Sequence, residues 1–357
     1  MRVAGRVAGR IVVAVAGVAG VGLLAPAVAA QAGTAPKPAA TSKATAKPAS
    51  AKSTATTKTA KAAAAMLGAG LVAYVRGGEV FVGNAGSERK LTTGGGWSRP
   101  RWSPDGKQLA VLKGGQLWTM KADGSAKRRI TTRAAAGPSW SPDGKSIAFA
   151  SLSCSGGAGV YTISATAVNA VPQVVFPGYC REEALPAEPA AQAAAAGSLS
   201  ERLRTDDAVA WSPDGTRVAF RGGDCESTYD ACLTIGTFAT GGEKTVAAYG
   251  GGSRQNSGFA VVPCWRADGA KLAWTAYEKG ETAAGNRPVH VIEYDTATGA
   301  KRTLGADLDR ELAYIDAGRA VATGTYRNGS WVMLVDLASG ARTAFREGSQ
   351  PSVQPVR

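Results

Sequence analysis

The pentapeptide Trp-Ser-Pro-Asp-Gly occurs three times, beginning at Trp102, Trp140 and Trp211, and a degraded copy, Trp-Arg-Ala-Asp-Gly, begins at Trp265. The four tryptophans are 38, 71 and 54 residues apart. An internal repeat constrains a fold more than any local signal. A unit that cannot bury its apolar face alone must stack on copies of itself.

Each copy has the same grammar. In the Pro-Asp-Gly turn, proline presets φ, aspartate bonds its own backbone and glycine accepts a positive φ. Short apolar segments flank the turn, such as "SIAFA" and "RVAF", and read as strands. A third strand candidate follows, "QLWTMK" or "HVIEYD", then a second tight turn, "ADGS", "TATG" or "LASG", and a fourth segment, "KRRITT", "KRTLG" or "ARTAF". The unit is four antiparallel strands joined by hairpins.

Two further copies fit this template. Residues 311–345 carry Asp316-Ala317-Gly318-Arg319 in the first turn. Residues 71–92 match strands two to four and lack the first strand. The chain ends in "SQPSVQPVR", which resembles the opening "SRPRWSP" of a complete repeat. The C-terminus can therefore supply the missing strand. Radial repetition of such units predicts an all-β fold, a six-bladed β-propeller of four-stranded blades, with the ring closed by a C-terminal strand that completes the first blade. Closure leaves no long sheet edge open. An open solenoid ranks below this, because it needs capping repeats and not a split one.

The pattern "WSPDGK", a strand, and then "DGS" resembles the WD40-like repeat of the TolB-type six-bladed propellers. The resemblance covers residues 67–357 and implies a propeller that works through its loops, without fixing one activity. Similar repeats occur in propellers of prolyl-oligopeptidase-like peptidases. The sequence departs from TolB in lacking an α/β domain ahead of the propeller, and from the peptidases in lacking a hydrolase domain.

Residues 1–30 carry Arg2, Arg6 and Arg10, an apolar run and the small-residue site "AVAA", which together read as a secretory signal peptide. The apolar run is short for a membrane span. Residues 31–66, rich in Ala, Thr, Lys and Pro, read as a disordered tether. The formal net charge is +14, but the first 65 residues hold nine of the basic groups and no acid, leaving +5 on the other 292 of the 357 residues. A basic leader belongs to export, and a basic linker suits an anionic wall or lipid surface. No nucleic-acid motif accompanies it.

Five cysteines in an exported chain invite pairing. Cys225 and Cys232 bracket one loop between strands two and three of the fourth repeat. Cys154 and Cys180 follow strands two and four of the third repeat, which end on the same face. The expected disulfides are Cys154–Cys180 and Cys225–Cys232, each worth about 2–4 kcal/mol. Cys264, beside Trp265 in an inner strand, is expected to be a buried small hydrophobe.

Catalytic motifs are sparse. The single histidine, His290, lies in a strand and reads as structural. There is no G-x-S-x-G elbow, C-x-x-C pair or phosphate loop. Asp105, Asp143, Asp214 and Asp268 share the serine–aspartate spacing of a sialidase box, but glycine follows at once, and a group repeated in several blades is more simply a turn former. The partner tryptophans Trp102, Trp140, Trp211 and Trp265 are expected to pack between blades. No cofactor or metal is implied.

Function is then expected in loops. Tight turns occupy one face. The other face gathers the insertion 177–207, with helix-forming residues, the Gly-rich loop 249–260 and the cysteine loops. Tyr179, Arg181, Glu182, Glu183, Arg254 and Asn256 are the candidate recognition residues. The expected function is an exported, monomeric, non-enzymatic binding module for a protein or cell-wall polymer, secreted or held at the envelope. The alternative is a glycan- or peptide-processing enzyme using the channel, for which Glu182, Glu183, Asp206 and Asp207 are the clustered acids.

Overall fold

The computed structural model describes residues 63–68, 70–183, 197–229, 231–250, 257–280 and 282–355. The leader and most of the expected linker lie outside the described residues.

Six four-stranded antiparallel sheets form the blades. The innermost strands are Ser349–Val353, Trp97–Trp102, Ala136–Trp140, Ala210–Trp211, Ser257–Trp265 and Arg310–Tyr314 for blades 1 to 6. Successive innermost strands neighbour one another around the ring and enclose a channel. Blade 1 is the split one: Ser349–Val353 pairs with Val72–Arg76, which pairs with Glu79–Gly83 and then Glu88–Lys90.

The Ser-Pro-Asp-Gly segments are the first hairpins. In blade 2 the Asp105 carboxylate accepts from Ser103 Oγ at 2.6 Å and from the Lys107 amide at 3.1 Å, while Ser103 Oγ accepts from the Gln108 amide at 2.9 Å. Asp143 and Asp214 repeat the pattern with Ser141 and Ser212. Asp268, whose repeat has lost the serine, takes Arg266 instead. The four glycines that follow have φ of 67, 70, 77 and 70° (Gly106, Gly144, Gly215, Gly269), so a side chain there is strained.

The repeated tryptophans seal one blade against the preceding one. Trp140 Nε1 donates to Arg101 O of blade 2, and Trp265 Nε1 to Ala210 O of blade 4, both at 3.0 Å. Trp102 packs with Ala73, Val80 and Val82 of blade 1. Trp211 stacks on Phe238, ring centroids 4.8 Å apart, and its indole donates to Gly215 O in its own turn.

Residues 63–67, at the end of the expected linker, form a helical turn. Ala63 and Leu67 are buried among Val72, Tyr74, Val321 and Phe345, and Arg319 donates to Ala65 O and Met66 O. Apolar contacts and two carbonyl acceptors thus hold this segment at the junction of blades 6 and 1. No helix among the described residues is long and apolar enough to cross a membrane.

Two outcomes follow from this construction. Deleting residues 349–357 bares the edge of Val72–Arg76 and removes the ring's closing contacts. Thermal unfolding of the truncated chain is expected more than about 10 °C below that of the full chain. An unchanged melting temperature contradicts closure. The second outcome concerns acid. Against the burial that opposes ionisation, the Ser212 hydroxyl and Thr216 amide hold the Asp214 carboxyl at about 2. Hydrogen bonding to Ser141 likewise lowers Asp143, and pairing with Arg266 lowers Asp268. A carboxyl lowered on folding stabilises above its unfolded value of about 3.9, and that contribution is lost as pH falls through the folded value. Stability is therefore expected to fall between pH ~4 and ~2, and Asp214→Asn should make that fall shallower in acid titrations followed by circular dichroism.

Candidate functional site

Two places concentrate polar chemistry: a cleft between blades 3 and 4, and the channel.

The cleft, about 410 Å³, is lined by Ser153, Ser155, Gly157, Ala158, Pro177, Tyr179, Gly223 and Asp224. Its walls are loops joining strands two and three in blades 3 and 4, with the start of the insertion. Each wall is braced by a disulfide. Cys154–Cys180, Cα atoms 5.4 Å apart, ties the 153–157 loop to a 3-10 turn, Gly178–Arg181. Cys225–Cys232, Cα atoms 6.3 Å apart, closes the blade 4 loop. Both pairings are those expected from the spacing. Tyr179 projects into solvent with 59% of its surface exposed, and its hydroxyl lies 3.3 Å from Ser155 Oγ.

The turn carrying Tyr179 also brings Arg181, Glu182 and Glu183 together. Glu182 and Glu183 are exposed. Arg181 lies back along the protein, its Nε donating to Val175 O at 3.2 Å and its guanidinium over the Phe176 ring. Arg254 and Asn256 lie outside the described residues. The insertion does contain a helix, Leu199–Arg204, opened by a capping box in which Ser198 and Glu201 bond each other's backbone amides.

The channel owes its chemistry to a bulge repeated three residues before the tryptophan position. Arg99, Val262, Glu311 and Gln350 have φ of 51, 52, 56 and 58°, a conformation L-residues rarely adopt, and the strand registers shift beside them. Hydrogen bonds hold three of them. The Arg99 amide donates to Gln350 Oε1 at 2.8 Å, the Gln350 amide to Glu311 Oε2 at 2.9 Å, and the Glu311 amide to Thr275 Oγ1 at 2.8 Å.

Arg99, 4% exposed, is the hub. Its guanidinium pairs with Glu311, 3.1 Å away, and with Asp206 at the end of the insertion. Burial opposes ionisation of Glu311, but the Arg99 and Arg310 charges and the Thr323 hydroxyl outweigh it and hold its carboxyl below the usual range. On the other side the bulge-level residues are small or apolar. A Cβ at Gly137 would lie 2.2 Å from Ala208 Cβ, and Leu203 packs with Val262. Ion pairs and this apolar contact anchor the insertion across the channel's elaborated mouth. Of the clustered acids, Asp206 therefore serves Arg99 and Asp207 serves Arg221.

Cys264 is free, on the innermost strand of blade 5. Burial pushes its thiol pKa up. His290 is buried, with Nδ1 2.7 Å from Pro288 O. Among the described residues no cluster of three or more His, Cys, Asp or Glu is placed to hold a metal. Sequence reasoning missed Arg99, Glu311 and Gln350. Aligning the repeats three residues before the tryptophan would have exposed them as polar residues where other blades have Gly, Ala or Val.

Arg99→Ala should leave Glu311 buried without its ion pair, costing about 3–5 kcal/mol in denaturant unfolding. Glu311→Gln keeps hydrogen-bonding capacity toward Thr323 and Gln350 and should cost clearly less. Equal costs would mean the ion pair does not organise the channel.

No protein-family model and no curated protein matches the sequence. Solved structures do. TolB from Acinetobacter baumannii superposes with a TM-score of 0.57 at 16% identity, covering 80% of this chain and 67% of that one. A TolB from Agrobacterium tumefaciens gives 0.53 at 16%, covering 81% and 100%. Kuenenia stuttgartiensis hydrazine synthase gives 0.54 at 10%, covering 83% and 48%. At these identities the likeness is one of fold: the chain has the six-bladed architecture of the TolB propellers.

Proposed function

We propose that this protein is an exported, non-enzymatic binding module that recognises a protein or a cell-envelope polymer through the cleft between blades 3 and 4. The observation that carries this reading is the cleft's construction: an exposed aromatic ring, Tyr179, stands between two loops, each braced by its own disulfide. Bracing lessens the entropy lost when loops close on a ligand, and Tyr offers a large amphipathic surface with few rotatable bonds. The two disulfides suit an oxidising compartment, and the reading of residues 1–30 as a leader and 31–66 as a tether agrees with that. Glu182 and Glu183, exposed just after the turn that carries Tyr179, would add polar specificity; Arg254 and Asn256 are candidates from the sequence.

The test begins with capture of partners from envelope extract by the full chain, followed by calorimetry on the partner found. Tyr179→Ala should weaken binding by about tenfold or more, roughly 1.4 kcal/mol, while the unfolding temperature stays within about 2 °C. Lys107→Ala and Lys145→Ala, in the tight turns of the opposite face, should leave affinity unchanged. Silent Tyr179 variants with damaging turn variants would move recognition to the other face. Turnover of a glycan or peptide panel, lost with Glu182→Gln and Glu183→Gln, would favour an enzyme.

A further inference from the structure

The cleft between blades 3 and 4 is lined by small residues and by oxygens. Gly157, Ala158, Pro177 and Gly223 shape its walls, and no long aliphatic side chain is among the described lining residues. Asp224 is the one acid among them, and none is basic.

Three hydroxyls stand in a row. Ser153 Oγ lies 3.0 Å from Ser155 Oγ, which lies 3.3 Å from the Tyr179 hydroxyl, and either atom of each pair can donate. A hydroxyl carries one proton and two lone pairs. Two contacts within the row occupy two of its three protons, so one proton and several lone pairs stay available to a ligand. The row can donate or accept at its ends, and its direction can reverse.

The row ends on an exposed aromatic ring. Tyr179 keeps most of its surface in solvent, although its neighbour Cys180 is fully buried in the disulfide to Cys154. The loop of the opposite wall carries a further exposed tyrosine, Tyr229, between Cys225 and Cys232. A second carboxylate stands behind that wall, since Glu243 Oε2 accepts from the Asp224 amide at 2.7 Å. Arg181, two residues beyond Tyr179, is turned toward Val175 O and Phe238 O.

We propose that this cleft binds an uncharged glycan strand. The inference rests on the reading of the cleft as the recognition site and names its ligand class. A sugar ring has an apolar C–H face, which suits the flat ring of an exposed tyrosine. Its edge carries hydroxyls that both donate and accept, which suits the reversible row of Ser153, Ser155 and Tyr179. A polyanion meets the charges of Asp224 and Glu243 with no lining cation to offset them. A folded protein needs a contact area of about 800 Å² on each side with an apolar centre. The cleft is instead a concave slot of about 410 Å³ without large apolar anchors other than Tyr179.

The probes are cellotetraose, maltotetraose and chitotetraose, with a lysine-rich peptide and polyphosphate as charged comparators at matched ionic strength. The readout on the full chain is nitration of exposed tyrosines, mapped by mass spectrometry. Tyr326, exposed in blade 6, is the internal control. At least one tetrasaccharide should slow nitration of Tyr179 about threefold at roughly twice its Kd, leaving Tyr326 unchanged. Ser155→Ala removes the middle of the row at an exposed position and should weaken that saccharide roughly three- to tenfold in calorimetry. Equal protection of Tyr179 and Tyr326 overturns the proposal, as does no protection by any of the three. Stronger protection by the peptide or by polyphosphate overturns it in favour of a charged ligand. An envelope protein whose binding falls with Tyr179→Ala, where no saccharide protects, overturns the glycan and keeps the cleft as the recognition site. Saccharide affinity unchanged in both Ser155→Ala and Tyr179→Ala removes the cleft as well. Should a variant fail to fold, nitration of the unaltered chain still decides.

Discussion

The ladder between Ser349–Val353 and Val72–Arg76 joins the two ends of the propeller, and the channel's chemistry hangs on the same strand. Gln350 sits at its centre with a left-handed backbone. Its side chain accepts from the Arg99 amide of blade 2, and its amide donates to the Glu311 carboxylate of blade 6. Ring closure and the organisation of the buried charges are thus one structural event. Without Gln350, Glu311 loses a donor and Arg99 loses an acceptor, both at positions where water is scarce and an unmatched group costs about 1–3 kcal/mol or more.

The left-handed bulge recurs in blades 1, 2, 5 and 6, at Gln350, Arg99, Val262 and Glu311, while the residue that occupies it changes. Blades 6, 1 and 2 place Glu311, Gln350 and Arg99 there, while blades 3, 4 and 5 place Gly137, Ala208 and Val262. One half of the channel wall is polar and the other is small or apolar. This asymmetry explains how the insertion is held. Leu203 and Ala208 meet the apolar half, and Asp206 reaches the cation of the polar half. A segment that composition alone would leave as a solvated extension is fixed at its C-terminal end by both kinds of contact.

The blade count, the strand order and the closing strand were legible because turn chemistry is local: Ser, Asp and Gly satisfy a hairpin with atoms from the same few residues. Both cysteine pairings were legible for a related reason, since alternation of strand direction fixes which ends share a face. The Arg99–Glu311–Asp206 centre was not. Those residues are distant in sequence, and only the bulge turns Arg99 and Glu311 inward. In "SRPRW" and "RELAY" they read as ordinary strand charges. Tyr179 was accessible to sequence reasoning through its neighbour Cys180, but Ser155 and Asp224, which share its cleft, were not.

The two faces of the ring follow different physical rules. On the elaborated face, long loops are held by disulfides and by ion pairs that engage Asp206 and Asp207, while Tyr179, Glu182 and Glu183 stay exposed near the cleft. On the tight-turn face, each carboxylate is engaged inside its own hairpin: Asp105, Asp143, Asp214 and Asp268 accept from serine, arginine or backbone within a few residues. Their negative charge is thus matched within a few residues. Arg319, in the first turn of blade 6, fastens residues 65 and 66 on that side. The geometry thereby sets long, disulfide-braced loops around a cleft on one face against short, self-satisfied hairpins on the other.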